Sequence, residues 1–289
     1  MPYTPGQTLG GLTATLGDLP LGSVDSAGVA WVLQELEGWD SPEVRSELQQ
    51  READHGAWQT PVYYGERPLT LAGTIVAPDG AALEDAMGRL RAAVSITDTV
   101  LTVAEAIPKC ATVRRSGKLL SRYVTDTVAT YSALVTAADP RRYEVASRSG
   151  DTGLASTTGG LTLPASVPWT ISAATVSGQI DAANLGSFAT PLVLTVTGPV
   201  QQPQILVAMP GGTVLPMFYS QTLGVGEQLV IDTAAHTVVL NSDVSRRRFL
   251  SVPSGWPQIP AGESVTITFS AAVYNASALL TATWRSAWD

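Results

Sequence analysis

The chain reads as a mainly β protein in two domains with one helix, and three observations predict it. From Tyr63 to Val76 the side chains alternate, with Leu69, Leu71, Gly73 and Ile75 on one face and Thr70, Ala72, Thr74 and Val76 on the other. That period of two defines a strand. Beyond Gly160, short runs rich in β-branched residues recur between turn-forming groups such as Gly198-Pro199, Pro210-Gly211-Gly212 and Gly224-Val225-Gly226, the spacing of an antiparallel sandwich. Only 15% of the residues are charged, while 26 are Gly and 19 are Pro, which suits a β-rich globular chain better than a helical bundle or a disordered one. A length of 289 residues is enough for two self-sufficient cores.

Taken in order, residues 1 to 22 read as an extended arm leading into a first strand, Val29 to Trp39, in which both faces carry some apolar residues. The stretch from Trp31 to Ala77 holds three of the seven tryptophans and organises the first domain. After Trp39-Asp40-Ser41-Pro42, a helix could start with Ser41 as cap and Pro42 at its first position. Val44 and Leu48 are the only large apolar residues it could bury before Ala53, so the segment is expected to be extended and solvated. Pro78-Asp79-Gly80 ends the Tyr63 to Val76 strand, and Asp79 can cap a helix beginning there. Leu83, Ala86, Met87, Leu90 and Val94 recur at helical spacing, with Glu84, Asp85, Arg89 and Arg91 off that stripe, which predicts an amphipathic helix covering a sheet. Strands are expected at Val100 to Ala104, Ala111 to Leu120 and Tyr123 to Ala137, as a meander, before a turn at Asp139-Pro140.

The polar run Ser147 to Gly160 reads as a linker or a long exposed loop and divides the chain into domains 1–146 and 147–289. Strands are then expected within PWTISAATV, TPLVLTVTGPV, PQILVAM, EQLVIDT, HTVVLNS, RRRFLSV, SVTITFSAAVY and LLTATWRSAW. On such a strand Arg246 and Arg248 would point one way and Arg247 the other, giving a solvated edge and no patch of three.

The functional classes narrow by elimination. With 17 Lys and Arg against 25 Asp and Glu, the net charge is −8, the wrong sign for a general nucleic-acid binder. Cys110 is the one cysteine, so no disulfide or thiolate metal cage can form within the chain, and it reads as a small core residue. The N-terminal stretch lacks a basic, apolar signal pattern, and no apolar run reaches the ~20 residues of a membrane span; a soluble protein made in a cytoplasm is expected. His55 and His236 both sit in turn contexts. No metalloprotease, hydrolase-elbow, phosphate-loop, dinucleotide or EF-hand pattern is present. Gly224 to Gln228 reads as a hairpin turn. Glu35, Glu37, Asp40 and Glu43 could in principle supply a glycosidase pair, but such clusters usually form a solvated face. Trp256, Trp284 and Trp288 read as core or interface residues, with sugar stacking as the alternative. No catalytic, cofactor-binding or metal-ligating residue is assigned, and a non-enzyme is expected.

The order and spacing of ELEGWDSPEVR, HGAW, YYGERPLTLAGTIVAPDG ahead of a helix, and DPRRY, followed by TPLVLTVTGPVQQPQI, LVIDT, GWPQIPAGESVTITF and TWRSAW, resembles the distal tail proteins of long, non-contractile-tailed bacteriophages. The likeness runs from about Val29 to Trp288. It implies a β-barrel or split-barrel-like N-terminal domain with one helix, related to tail-tube proteins, followed by a galectin-like antiparallel β-sandwich. It also implies a virion protein, made in the host cytoplasm, whose six copies form a ring at the tail tip. Implied partners are further copies of the chain, the tail-tube and tape-measure proteins, and the tip hub or tail-associated lysin with receptor-binding proteins. DNA would pass through the ring unbound, and no membrane partner or cofactor is implied. Six copies of so acidic a chain would favour a lumen that repels DNA. Aromatic patches around Trp39 and Trp58 are expected between subunits. The alternative is a carbohydrate-binding tail module attaching to the host envelope through its second domain.

Overall fold

The computed structural model describes residues 4–158 and 174–289. Contacts divide the chain between Val145 and Ala146 into two units, and every named strand pairing is antiparallel.

The first unit follows from the alternation in its longest strands. Arg67–Val76 alternates buried and half-buried positions along all ten residues, with Leu69, Leu71, Gly73 and Ile75 inward as predicted. It lies between Ala30–Glu37 and Val128–Ala137. The sheet runs in the order Leu19–Leu21, Ala14–Leu16, Thr99–Val103, Lys109–Arg115, Val128–Ala137, Arg67–Val76, Ala30–Glu37 and Ser23–Val24. The middle of the expected meander is present. Leu120–Tyr123 differs: it shares one edge of Val128–Ala137 with the end of Lys109–Arg115 and, among the described residues, pairs with no other strand.

The two ends of that order, Leu19–Leu21 and Ser23–Val24, are neighbours in the chain with only Gly22 between them. One continuous segment therefore borders both ends of the sheet and closes it into a barrel-like body. The turn between the two halves demands glycine. Gly22 has φ +83°, and a Cβ there would lie 2.5 Å from the Leu12 carbonyl oxygen. The residues expected as an extended arm are thus partly built into the fold: Ala14–Leu16 is a sheet strand, and the Gly6 and Leu9 amides donate to the Val24 and Gly22 carbonyls.

The predicted helix is Gly80–Ala93. Asp79 accepts from the Ala82 amide at 2.8 Å as its N-cap, and Leu83, Ala86, Met87 and Leu90 are its buried stripe. These residues share one core with Trp31, Leu69, Leu71, Ile75, Leu101 and Tyr131. Asp25 secures the helix to the sheet. Its carboxylate is nearly buried, accepts from the Ala27 and Val29 amides and from Trp31 Nε1, and pairs with Arg89 at 2.7 Å. Cys110 is buried in its strand, as expected.

The second unit is the sandwich that the sequence predicts. One sheet runs Arg148–Gly153, Leu279–Trp284, Val193–Thr197, Gln228–Asp232, Thr237–Leu240, Val244–Ser245. The other runs Gln179–Ala183, Ser264–Ser270, Gln204–Ala208, Val214–Tyr219, Leu250–Ser251. Alternate residues from both sheets, among them Leu194, Val196, Leu229, Ile231 and Leu280 against Ile205, Val207, Val265, Ile267 and Phe269, fill one core. This inward-outward alternation on two packed sheets is what holds a sandwich together.

Two expectations are corrected. The polar run Ser147 to Gly160 is no linker where it is described, because Arg148–Gly153 pairs residue for residue with Leu279–Trp284 and Ser156–Thr158 pairs with Ala174–Val176. Arg246 to Arg248 are not alternating strand residues. Arg247–Phe249 is a single 3-10 turn with Arg246 at its N-cap. Within the expected strand PWTISAATV, residues 168–173 lie outside the described residues, and Ala174–Val176 is a strand.

Candidate assembly surface

The residues that would have to converge for chemistry are dispersed. Glu35, Glu37, Asp40 and Glu43 are all exposed along a strand end and the turn after it. His55 is exposed at a loop tip. His236 is exposed in a turn with φ 56° and stacks on Trp256 with ring centroids 4.9 Å apart and planes 9° from parallel. The Arg247 guanidinium also lies over Trp256, at 4.9 Å, so that ring already has two stacking neighbours. Trp284 belongs to the sandwich core and donates from Nε1 to the Ala183 carbonyl at 2.8 Å; Trp288 is half-buried. Gly224 to Gln228 is a turn held by the Gly224 amide donating to Glu227 Oε2 at 2.7 Å. Among the described residues no group of His, Cys, Asp and Glu is placed to hold a metal ion, and no helix is long and apolar enough to cross a membrane.

What the first unit does present is a projecting ribbon. Val44–Arg45 pairs with Tyr63–Tyr64, and Leu48–Gln50 pairs with Ala57–Gln59. Among the described residues these strands pair with nothing else. The sequence predicts this extended, solvated state because Val44 and Leu48 offer no helical face. At the tip, the Arg51 amide donates to the Gly56 carbonyl, Asp54 accepts from the His55 amide at 2.7 Å, and the Arg51 guanidinium lies 4.6 Å above the Trp58 ring. Val44, Leu48, Trp58, Val62 and Tyr63 are all more than half exposed. So many large apolar side chains on one two-stranded element mark a contact surface.

The base of the ribbon is fixed. Arg67 is fully buried and donates from Nε to the Pro140 carbonyl at 2.9 Å and from Nη1 to the carbonyls of Gly38 and Trp39. Burial, with Arg142 close by, lowers its pKa to about 10, so it stays charged at neutral pH. Trp39 is also buried. Its Nε1 donates to Glu105, and Arg142 lies 5.5 Å over its ring. Burial raises the Glu105 pKa, but the hydrogen bonds from Lys109 and Trp39 and the nearby cations outweigh it and leave the carboxyl below its usual range. Trp39 is therefore a core residue of its own chain, contrary to the expectation of an interface there, while Trp58 remains 59% exposed.

This geometry defines a two-unit, antiparallel β protein with a clamped, projecting ribbon. Residues 185–288, within the second unit, match the family model described as siphovirus-type tail component, C-terminal domain. Over its length the chain resembles siphovirus distal tail proteins, the likeness its motifs carry. It is similar in fold to the crystal structure of the Dit (gp 19.1) protein of phage SPP1, titled a paradigm of hub adsorption apparatus in Gram-positive infecting phages. The TM-score is 0.66 with 11% identity, covering 96% of this chain and 99% of that one. A chain of the phage P2 baseplate in its activated conformation with Ca aligns at TM-score 0.49 and 8% identity, covering 95% of this chain and 98% of that one. No curated protein matches the chain.

Proposed function

We propose that the chain is a structural component of a phage tail tip, a distal tail protein that works as a hub. Its copies assemble into a ring, six being the number the resemblance implies. The 1–146 domain forms the ring, and the opening passes DNA without binding it. The ring joins tail tube to tip, and its chemistry is that of packed surfaces, with no bond made or broken. The observation carrying this reading is the joint one of a siphovirus tail-component domain at 185–288 and a fold similar to the phage SPP1 hub protein over 96% of the chain. Fold alone does not assign function. The exposed ribbon adds a local reason to expect self-association.

The test is solution mass with negative-stain imaging of the purified protein, alone and with its tail-tube protein. Closed rings are expected in at least one of these; protein that stays single in both and hydrolyses wall polymer would overturn the reading. A sugar-binding role for the second domain has no structural support at Trp256, where His236 and Arg247 already stack on the ring.

A further inference from the structure

The ribbon and the lone edge strand of the first unit are complementary in charge. The ribbon, residues 41 to 64, carries Glu43, Glu47, Glu52 and Asp54 against Arg45 and Arg51, and Arg51 is already paired with Asp54. Its exposed apolar residues include Leu48, 69% accessible, and Trp58. The opposite character sits in residues 109 to 123, which contain five Lys and Arg and no acid. Lys109 and Arg114 are engaged with Glu105 and Asp98. Arg115, Lys118 and Arg122 are exposed and belong to none of the ion pairs among the described residues.

Within that basic stretch lies Leu120–Tyr123, exposed at all four residues. It pairs with Val128–Ala137 on one side and, among the described residues, with no strand on the other. Leu120 is 62% and Tyr123 53% accessible. An exposed edge with large apolar residues is a template for another chain, and the cations around it select an acidic one.

We propose that the ribbon of one copy docks against the Leu120–Tyr123 edge of the next, with Glu43 and Glu47 meeting Arg115, Lys118 and Arg122, and Leu48 and Trp58 meeting Leu120 and Tyr123. The occupant is a second copy of this chain. Donor and acceptor surfaces differ, so the contact is head-to-tail and propagates round a ring where the rotation closes. This deepens the hub reading and rests on it for ring closure, but not for the pairwise contact.

The test is disulfide trapping between copies, with Cys110 buried and therefore a quiet background. Leu48→Cys protein mixed with Leu120→Cys protein under mild oxidation is expected to give covalent pairs at least tenfold above a control of Val225→Cys mixed with Leu120→Cys; Val225 is 86% accessible on the other unit. All three sites are exposed, so folding is preserved. Glu43→Lys with Glu47→Lys on the ribbon copy should reduce the trapped yield about tenfold, and Arg115→Glu with Arg122→Glu on the other copy should restore it. Trapping no better than the control overturns the docking, and rings seen by negative stain in that same sample would leave the hub reading standing. Specific trapped pairs in protein that never closes into rings would confirm the docking and remove the ring.

Discussion

Asp25 shows how one side chain can fasten a helix to a barrel. Four donors converge on its carboxylate, two backbone amides, the Trp31 indole and the Arg89 guanidinium. Burial pushes its pKa up, yet the hydrogen bonds from Trp31, Arg89 and Val29 outweigh that and hold it below the ordinary value. A folded pKa below the unfolded one means that the carboxylate contributes its full stability above about pH 4 and loses it as pH falls through the folded value. Asp25→Ala should cost about 3 kcal/mol at pH 7, since it leaves the Trp31 N–H and the Ala27 and Val29 amides without their acceptor, while Arg89 keeps its ion pair with Asp85. Urea unfolding should show the gap between wild type and variant narrowing as pH drops below about 4. Asn184 has the same role in the sandwich without charge. Its Nδ2 donates to the carbonyls of Phe188, Ile259 and Pro260, and its Oδ1 accepts from the Gly186 amide at 3.0 Å. Asn184→Asp keeps the shape but turns a donor toward carbonyls into an acceptor, and a loss of roughly 3 kcal/mol is expected, read from the same denaturation curves.

At the level of elements, the helix separates two contributions. Asp79→Ala removes a cap and should cost about 1 kcal/mol; Met87→Ala removes a fully buried side chain and should cost about 2–4 kcal/mol. Equal losses in thermal melts would contradict this division. Both elements were legible in the sequence because periodicity reports the buried face directly: period two in Arg67–Val76, and a Leu83, Met87, Leu90 stripe in the helix. The elements that escaped are those whose state depends on distant chain. Arg148–Gly153 reads as loop because it is polar and carries Gly150, yet it is a strand by pairing with Leu279–Trp284. The glycine is there because a Cβ would come within 2.6 Å of Ile180. Val214–Tyr219 is obscured by Pro216, which is tolerated because Leu250–Ser251 covers only Phe218 and Tyr219 on that side. Trp39 and Trp58 look alike in sequence. Only the buried Arg67 and Glu105 beside Trp39, brought from elsewhere in the chain, tell core from surface.

For the whole molecule, the sequence carried the two-part β architecture and the tail-component likeness, while the surface that would join copies was visible only as an acidic stretch with aromatics and a separate basic one. If acidic ribbon meets basic edge, association should weaken with ionic strength, since exposed charges are screened beyond ~10 Å at 0.1 M salt. Sedimentation at low and high salt should show the ring population falling as salt rises, with monomer melting unchanged. Trp58→Ala should likewise weaken association while altering monomer stability by less than about 0.5 kcal/mol, because the indole is mostly in solvent; calorimetry beside sedimentation separates the two effects.

The closure at Gly22 has a consequence for how the first unit comes into being. The seam of the barrel is sealed by a few residues near the start of the chain, which must grip Ala14–Leu16 on one side and Ala30–Glu37 on the other. Ala14–Leu16 in turn waits for Thr99–Val103, made much later. Contacts so far apart in the chain form slowly. During synthesis the early segment can make its local pairings at once, but the barrel cannot seal until Thr99–Val103 has emerged to meet Ala14–Leu16, and removing the segment would leave an open, sticky sheet where a sealed body should be.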